Sequence, residues 1–325
     1  MLYSVKTQND RSQDNWVEMM GMVVVDVHTH ISKKGWTPNE IVLVAVGGLA
    51  GRMGVAPEKI MRDLEKYPTL YESTPESLIE DMDEAGIDKS ILIANDYGLA
   101  AGFSKPKISI EEYNKWVADA ADQNPNRLIA FMGVDPRRKN AVEILEKGIQ
   151  EWGMKGLKLY PPCGFYPNEP LVTPLWEKAN ELEIPVMVHS GPTFPQLKMK
   201  YSQPIYLEDV LVRYPSLNII IAHCGGGIWA EEVLGLRQLR NNLYADISGW
   251  QGMAYADKIY AMRRLVHVYS NLRSRCLFGS DWPAFNFQIS HKEWVNMINS
   301  LENVETKLKR KLLGENAEKL LKPLK

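Results

Sequence analysis

From residue 22 onwards, short runs of apolar, β-branched residues alternate with longer segments whose apolar positions recur every three or four residues. The first kind predicts strands and the second predicts amphipathic helices. Eight strands are expected: MVVVDVH (22–28), KSILIA (89–94), RLIAFMGV (127–134), GLKLY (156–160), PVMVH (185–189), LNIIIAH (217–223), LYADIS (243–248) and RCLFGS (275–280). Helices are expected over 73–86, 109–123, 138–152, 173–183, 205–214, 229–240, 254–268 and 290–301. The first helix has Ser73 or Thr74 as N-cap, Pro75 near its first position and Gly86 as its stop.

Strand followed by helix, eight times over, predicts a parallel sheet with helical crossovers. Eight units in one chain favour a closed (β/α)8 TIM barrel, which typically takes about 250 residues. No GxGxxG follows the first strand, which argues against a dinucleotide-binding sheet. The Gly-rich CGGGIW (224–229) lacks the lysine of a P-loop.

Three segments lie outside the minimal pattern. Residues 1–21 read as a polar N-terminal tail, so 22–325 form a single barrel domain. Residues 31–73, between the first strand and its helix, are too long for a structureless connection and are expected to form a lid or cap. Residues 302–325 are expected to supply one or two closing C-terminal helices.

The composition is that of a globular protein, with 45% hydrophobic and 24% charged residues and a formal net charge of -2. No basic run interleaved with aromatics marks a nucleic-acid footprint, so the expected partner is a small-molecule substrate. IVLVAVGGLAG (41–51) is about half the roughly 20 residues a spanning helix needs, so no membrane span is expected. The same stretch is a candidate homodimer contact. Cys163, Cys224 and Cys276 are widely spaced without a CxxC, which fits a cytoplasmic protein.

In a barrel of this kind, chemistry gathers at the C-terminal strand ends. Four of the six histidines fall there: His28 and His30 after strand one, His189 after strand five and His223 after strand six. Lys158 and Tyr160 end strand four, and Asp281 ends strand eight. Imidazoles and a carboxylate converging on one cavity suit a divalent transition metal such as Zn2+, with Mn2+, Fe2+, Co2+ or Ni2+ also permitted. His267 and His291 sit in helical segments and read as surface or packing residues. Arg52 and Lys158 are candidates to hold a substrate acid. Phe165, Trp250 and Trp282 follow strands four, seven and eight and are candidates for an apolar wall. Cys163, in PPCGFYP, is an alternative nucleophile.

DVHTH, GLKLYP, VMVHSG, IAHCGGG and LFGSDWP, in this order and spacing, resemble the amidohydrolase superfamily, and most of all its amidohydrolase-2 branch. That branch includes aminocarboxymuconate semialdehyde decarboxylase and related hydrolases and hydratases. The resemblance implies that His28, His30, His189 and Asp281 bind one metal ion and that His223 contacts substrate or bound water. Asp281 would then serve in proton transfer. In some superfamily members a lysine ending strand four is carbamylated and bridges a second metal, a role open to Lys158. The expected activity is hydrolysis of an amide, ester or lactone by metal-activated water. Non-oxidative decarboxylation of an unsaturated or aromatic acid is the runner-up, and a non-catalytic metal-binding barrel comes third.

Overall fold

The structure, a computed structural model, describes residues 23–302 and 304–321. The 1–21 tail lies outside the described residues. The strands are β1 (Val25–Thr29), β2 (Lys89–Ile93), β3 (Leu128–Gly133), β4 (Leu157–Leu159), β5 (Val186–Val188), β6 (Ile219–Ile221), β7 (Leu243–Asp246) and β8 (Cys276–Leu277). They pair in parallel in the order β1 to β8. Backbone bonds join the last strand to the first: Val27 N donates to Phe278 O at 3.0 Å, and Asp281 N to His28 O at 2.8 Å. The chain is therefore a (β/α)8 barrel.

Seven of the eight strands fall within their expected runs, and β1 runs one residue past its own, to Thr29. The first crossover helix is Pro75–Ala85, and its N-cap is Thr74, which forms a reciprocal capping box with Ser77. One helix departs from the pattern. The segment expected as 254–268 is two helices, Gln251–Ala256 and Lys258–Leu272, because Asp257 leaves helical geometry and its side chain caps the second at Tyr260 N.

Apolar packing forms two shells. Within the barrel, Val25, Val27, Ile91, Ile93, Phe131, Met187, Ile220 and Leu277 make one buried cluster. Ala317 and Leu320 of the C-terminal helix Asn316–Leu320 join that cluster. Gly314, just before this helix, abuts the Val23 carbonyl so closely that a Cβ there would overlap it. The expected closing segment thus seals the end where the strands begin, and the polar cavity opens at the other end.

Residues 31–73 are ordered into α1 (Asn39–Met53), α2 (Pro57–Arg62) and two short turns, with their own small core of Val46, Leu49, Ala50, Ile60 and Leu70. Ile41, Val44, Ala45 and Gly48 of α1 line one wall of the cavity. No helix among the described residues is long and apolar enough to cross a membrane.

Candidate active site

A cavity of about 430 Å³ lies at the C-terminal strand ends, and His28, His30, Lys158, Tyr160, His189, His223 and Asp281 all line it. Residues spread over more than 250 positions converge there, as expected for strand ends of one barrel. The register of β1 against β2 shifts between Asp26 and Thr29, and such an irregularity re-aims side chains. The His28 and His30 rings end 5.2 Å apart, nearly edge to face.

Hydrogen bonds fix which nitrogen of each imidazole faces the cavity. His28 Nδ1 lies 3.1 Å from Asp246 Oδ2, and His30 Nδ1 lies 2.8 Å from Ile93 O. A carboxylate and a carbonyl only accept, so both Nδ1 atoms carry the proton and both Nε2 atoms hold lone pairs. His30 Nε2 is 3.2 Å from Asp281 Oδ1, and His28 Nε2 is 3.6 Å from the same oxygen. These three donors lie within 4.8 Å of one another. Two oriented imidazole lone pairs and a carboxylate, each ring braced through its far nitrogen, fit a divalent transition metal.

Charge in the site follows burial and contacts. Burial, assisted by the Lys158 ammonium, pushes His28 down to about 3, so its ring is neutral. Burial likewise lowers His189 and His223. Burial opposes charge on Asp281, but the hydrogen bond with His30 and the contacts with His28 and His223 prevail and hold it well below the carboxylate range. Lys158 Nζ donates to His28 Nε2 at 3.2 Å, and burial pulls it down to about 8.

His223 and Asp281 both adopt left-handed backbone, with φ of 59° in each, uncommon for non-glycine residues and recurrent at active sites. Trp250 Nε1 donates to His223 O at 2.7 Å and holds that turn from below. His223 Nε2 sits 3.1 Å from His189 Nδ1, while His189 Nε2 faces Pro192 O at 3.2 Å. His189 is thus part of the cluster through His223, beside the His28, His30 and Asp281 set.

The match to the amidohydrolase family spans residues 25–322. The chain belongs to the amidohydrolase family. No curated protein matches it. Among solved structures, this amidohydrolase is similar to 5-carboxyvanillate decarboxylase from Sphingomonas paucimobilis, at 15% identity and a TM-score of 0.65 over 93% of this chain and 99% of that one. It is also similar to a probable 2-pyrone-4,6-dicarboxylic acid hydrolase from Acinetobacter baumannii, at 17% identity and a TM-score of 0.62 over 92% and 99%. A third is 5-carboxyvanillate decarboxylase from Novosphingobium aromaticivorans, complexed with manganese and a nitrobenzoic acid, at 19% identity and a TM-score of 0.63 over 93% and 96%. Identities this low establish the shared fold, and the family match makes the chain an enzyme.

Several sequence candidates of this amidohydrolase are not brought to the cavity. Arg52 continues the stripe of Ile41, Val44, Ala45 and Gly48 by one turn, but it lies at the exposed end of α1, where its Nη1 donates to Phe287 O at 2.5 Å, and it is not among the residues lining the cavity. Trp250, Trp282 and Phe165 are buried in the shell between strands and helices. Trp282 Nε1 donates to Asp81 Oδ2 at 2.6 Å, pointing its ring away from the cavity. Burial, with Asp135 and Asp96 adding to it, pushes the Cys163 thiol far up, and its Sγ lies against Asp96 O at 3.7 Å. Cys163 is therefore a protonated packing residue and not a nucleophile. The apolar wall is made instead by Tyr97, Tyr160 and Phe194, with the Tyr160 ring 4.3 Å from that of His189.

Two residues escaped the sequence reading. Asp246 ends β7 fully buried and accepts from His28 Nδ1, from His223 N at 3.0 Å and from Ser248 N at 2.9 Å. Ser248 Oγ lies 2.8 Å from His223 Nδ1 and 3.1 Å from His28 Nδ1. An acidic residue closing the apolar run LYAD was a signal of the same kind as the strand-end histidines.

Proposed function

We propose that this amidohydrolase hydrolyses a small, flat organic amide, ester or lactone, with one divalent transition metal ion held by His28, His30 and Asp281 and with His189 alongside. One observation carries the choice of substrate class. Among the described residues lining the cavity, Lys158 is the only lysine or arginine, and its Nζ lies beside His28 Nε2, the atom offered to the metal. The described lining therefore offers one cation at most to a substrate carboxylate, which favours a neutral amide, ester or lactone over a substrate carrying several acid groups.

A divalent metal in this position supplies a Lewis acid that polarises a carbonyl and acidifies water. The protein's own groups do the rest. Asp281, held ionised, accepts a proton from the attacking water and passes it to the leaving group. His223, neutral and oriented through Ser248, lines the cavity with its Nε2 3.1 Å from His189 Nδ1, and this imidazole pair positions the reacting oxygen. Tyr97, Tyr160 and Phe194 pack against an apolar, planar substrate and exclude water from its faces.

Decarboxylation of an aromatic acid is the second reading. The aromatic wall favours it, as does the likeness in fold to 5-carboxyvanillate and 2,6-dihydroxybenzoate decarboxylases. A screen of aryl esters, lactones and aromatic acids in heavy-oxygen water separates the two. Label in a carboxylate product supports hydrolysis, and unlabelled product with release of carbon dioxide supports decarboxylation. In either case His223→Asn is expected to keep its metal and lose about 100-fold or more in rate. A variant of unchanged rate overturns the role of His223.

A further inference from the structure

His291 begins the helix His291–Asn299 and lies outside the cavity lining, yet it is buried, with only 3% of its surface exposed. Its Nε2 is 2.8 Å from Asp26 Oδ2 and 2.7 Å from Ser280 Oγ. Its Nδ1 is buried without a partner. A buried N–H with no acceptor costs more than a buried lone pair with no donor, so the proton belongs on Nε2, shared between the Asp26 carboxylate and the Ser280 hydroxyl. The ring also stacks on Trp282, 16° from parallel.

The carboxylate that His291 grips is joined to both halves of the metal-binding set. Asp26 Oδ1 accepts from His28 N and from Ser280 N, each at 3.0 Å. Ser280 Oγ in turn accepts from Trp282 N at 3.0 Å. The residues on either side of Asp281 are therefore tied to the same buried hub as the backbone of His28. The hub lies at the seam where β8 meets β1, and Asp281 there carries a left-handed backbone that needs outside support.

We propose that His291 is a positioning residue: through Asp26 and Ser280 it sets the separation of His28 and Asp281, and so the affinity and geometry of the metal site. This rests on the metal-binding reading given above. Nothing in it requires His291 to touch substrate or metal.

The test is binding of Co2+ to the metal-free full-length protein, read by dialysis equilibrium and by the visible absorption of the bound ion. His291→Leu removes the donor, Ser280→Ala removes one hydroxyl, and His291→Gln returns a donor near the place of Nε2. If the inference holds, His291→Leu binds Co2+ about 10- to 100-fold more weakly and with a shifted spectrum, as loss of an outer ligand-orienting partner does. Ser280→Ala moves the same way by less, and His291→Gln recovers most of the affinity. Amide exchange at His28 and Ser280 is expected to quicken in His291→Leu while the other strands keep their protection. Wild-type affinity and spectrum in a folded His291→Leu or Ser280→Ala protein would overturn the inference and leave His291 a packing residue. If wild type binds no Co2+, the metal reading itself fails and takes this inference with it; His30→Ala serves as the non-binding control. If His291→Leu does not fold, Ser280→Ala and His291→Gln decide the matter alone.

Discussion

Asp246 Oδ2 lies 3.1 Å from His28 Nδ1, a contact between β7 and β1 across 218 positions of sequence, with both side chains buried. The carboxylate fixes the proton on Nδ1 and so presents the Nε2 lone pair to the cavity. Without that acceptor either tautomer becomes available, and the site loses its orientation.

Asp246→Asn keeps the shape of the side chain while removing its charge. The variant is expected to retain the fold and to bind divalent metal about 10- to 100-fold more weakly. Metal content after dialysis against a graded chelator checks this; wild-type retention would show that the tautomer of His28 is set elsewhere.

Metal count separates the mononuclear site from a bridged pair. One ion per chain is expected in protein purified without added metal, lost in His30→Ala and kept in Lys158→Met. Plasma mass spectrometry gives the stoichiometry. Two ions in wild type, falling in the lysine variant, would assign Lys158 a bridging role.

Lys158 also gives the metal-free protein a signature in pH. Burial lowers its folded pKa from 10.5 to about 8. Between those values the unfolded chain holds a proton that the folded chain lacks, so stability rises with pH across the window. The cost of burying the ammonium is fully present below the folded value and gone above 10.5. Lys158→Met is therefore expected to melt above wild type at neutral pH, with the gap closing as the solution is raised through that window. Paired thermal melts over the range test it, and a gap that does not change with pH would contradict it.

The cysteines are expected to be bystanders. All three are buried, and burial pushes each thiol up. Iodoacetamide should label none of them in native protein at neutral pH, and Cys163→Ala should turn over at the wild-type rate. Fast labelling coupled to loss of activity would restore Cys163 as a nucleophile.

The strand ends tolerate little added bulk. A Cβ on Gly133, at the end of β3, would fall 2.1 Å from the carbonyl oxygen of Ala94, which directly follows β2. Gly133→Ala is expected to cost about 1–3 kcal/mol by overpacking, measurable by urea unfolding.

The alternation of apolar runs with helical periodicity determined the barrel, because side chains repeat every two residues in a strand and every 3.6 in a helix, and those periods are written locally. The polar residues that break each run at its C-terminal end were legible for the same reason, and His28, His30, Lys158, His189, His223 and Asp281 do meet in one cavity. Tertiary structure decided what spacing does not encode. It placed Arg52 outside the cavity and Trp250 and Trp282 behind it, since a residue following a strand can turn either towards the mouth or into the helical shell. It also chose the nitrogen that each imidazole offers, through partners such as Asp246 for His28 and Asp26 for His291, the latter 265 positions away. A hydrogen bond depends on atoms within about 3 Å in space, and only the closed barrel brings those atoms together.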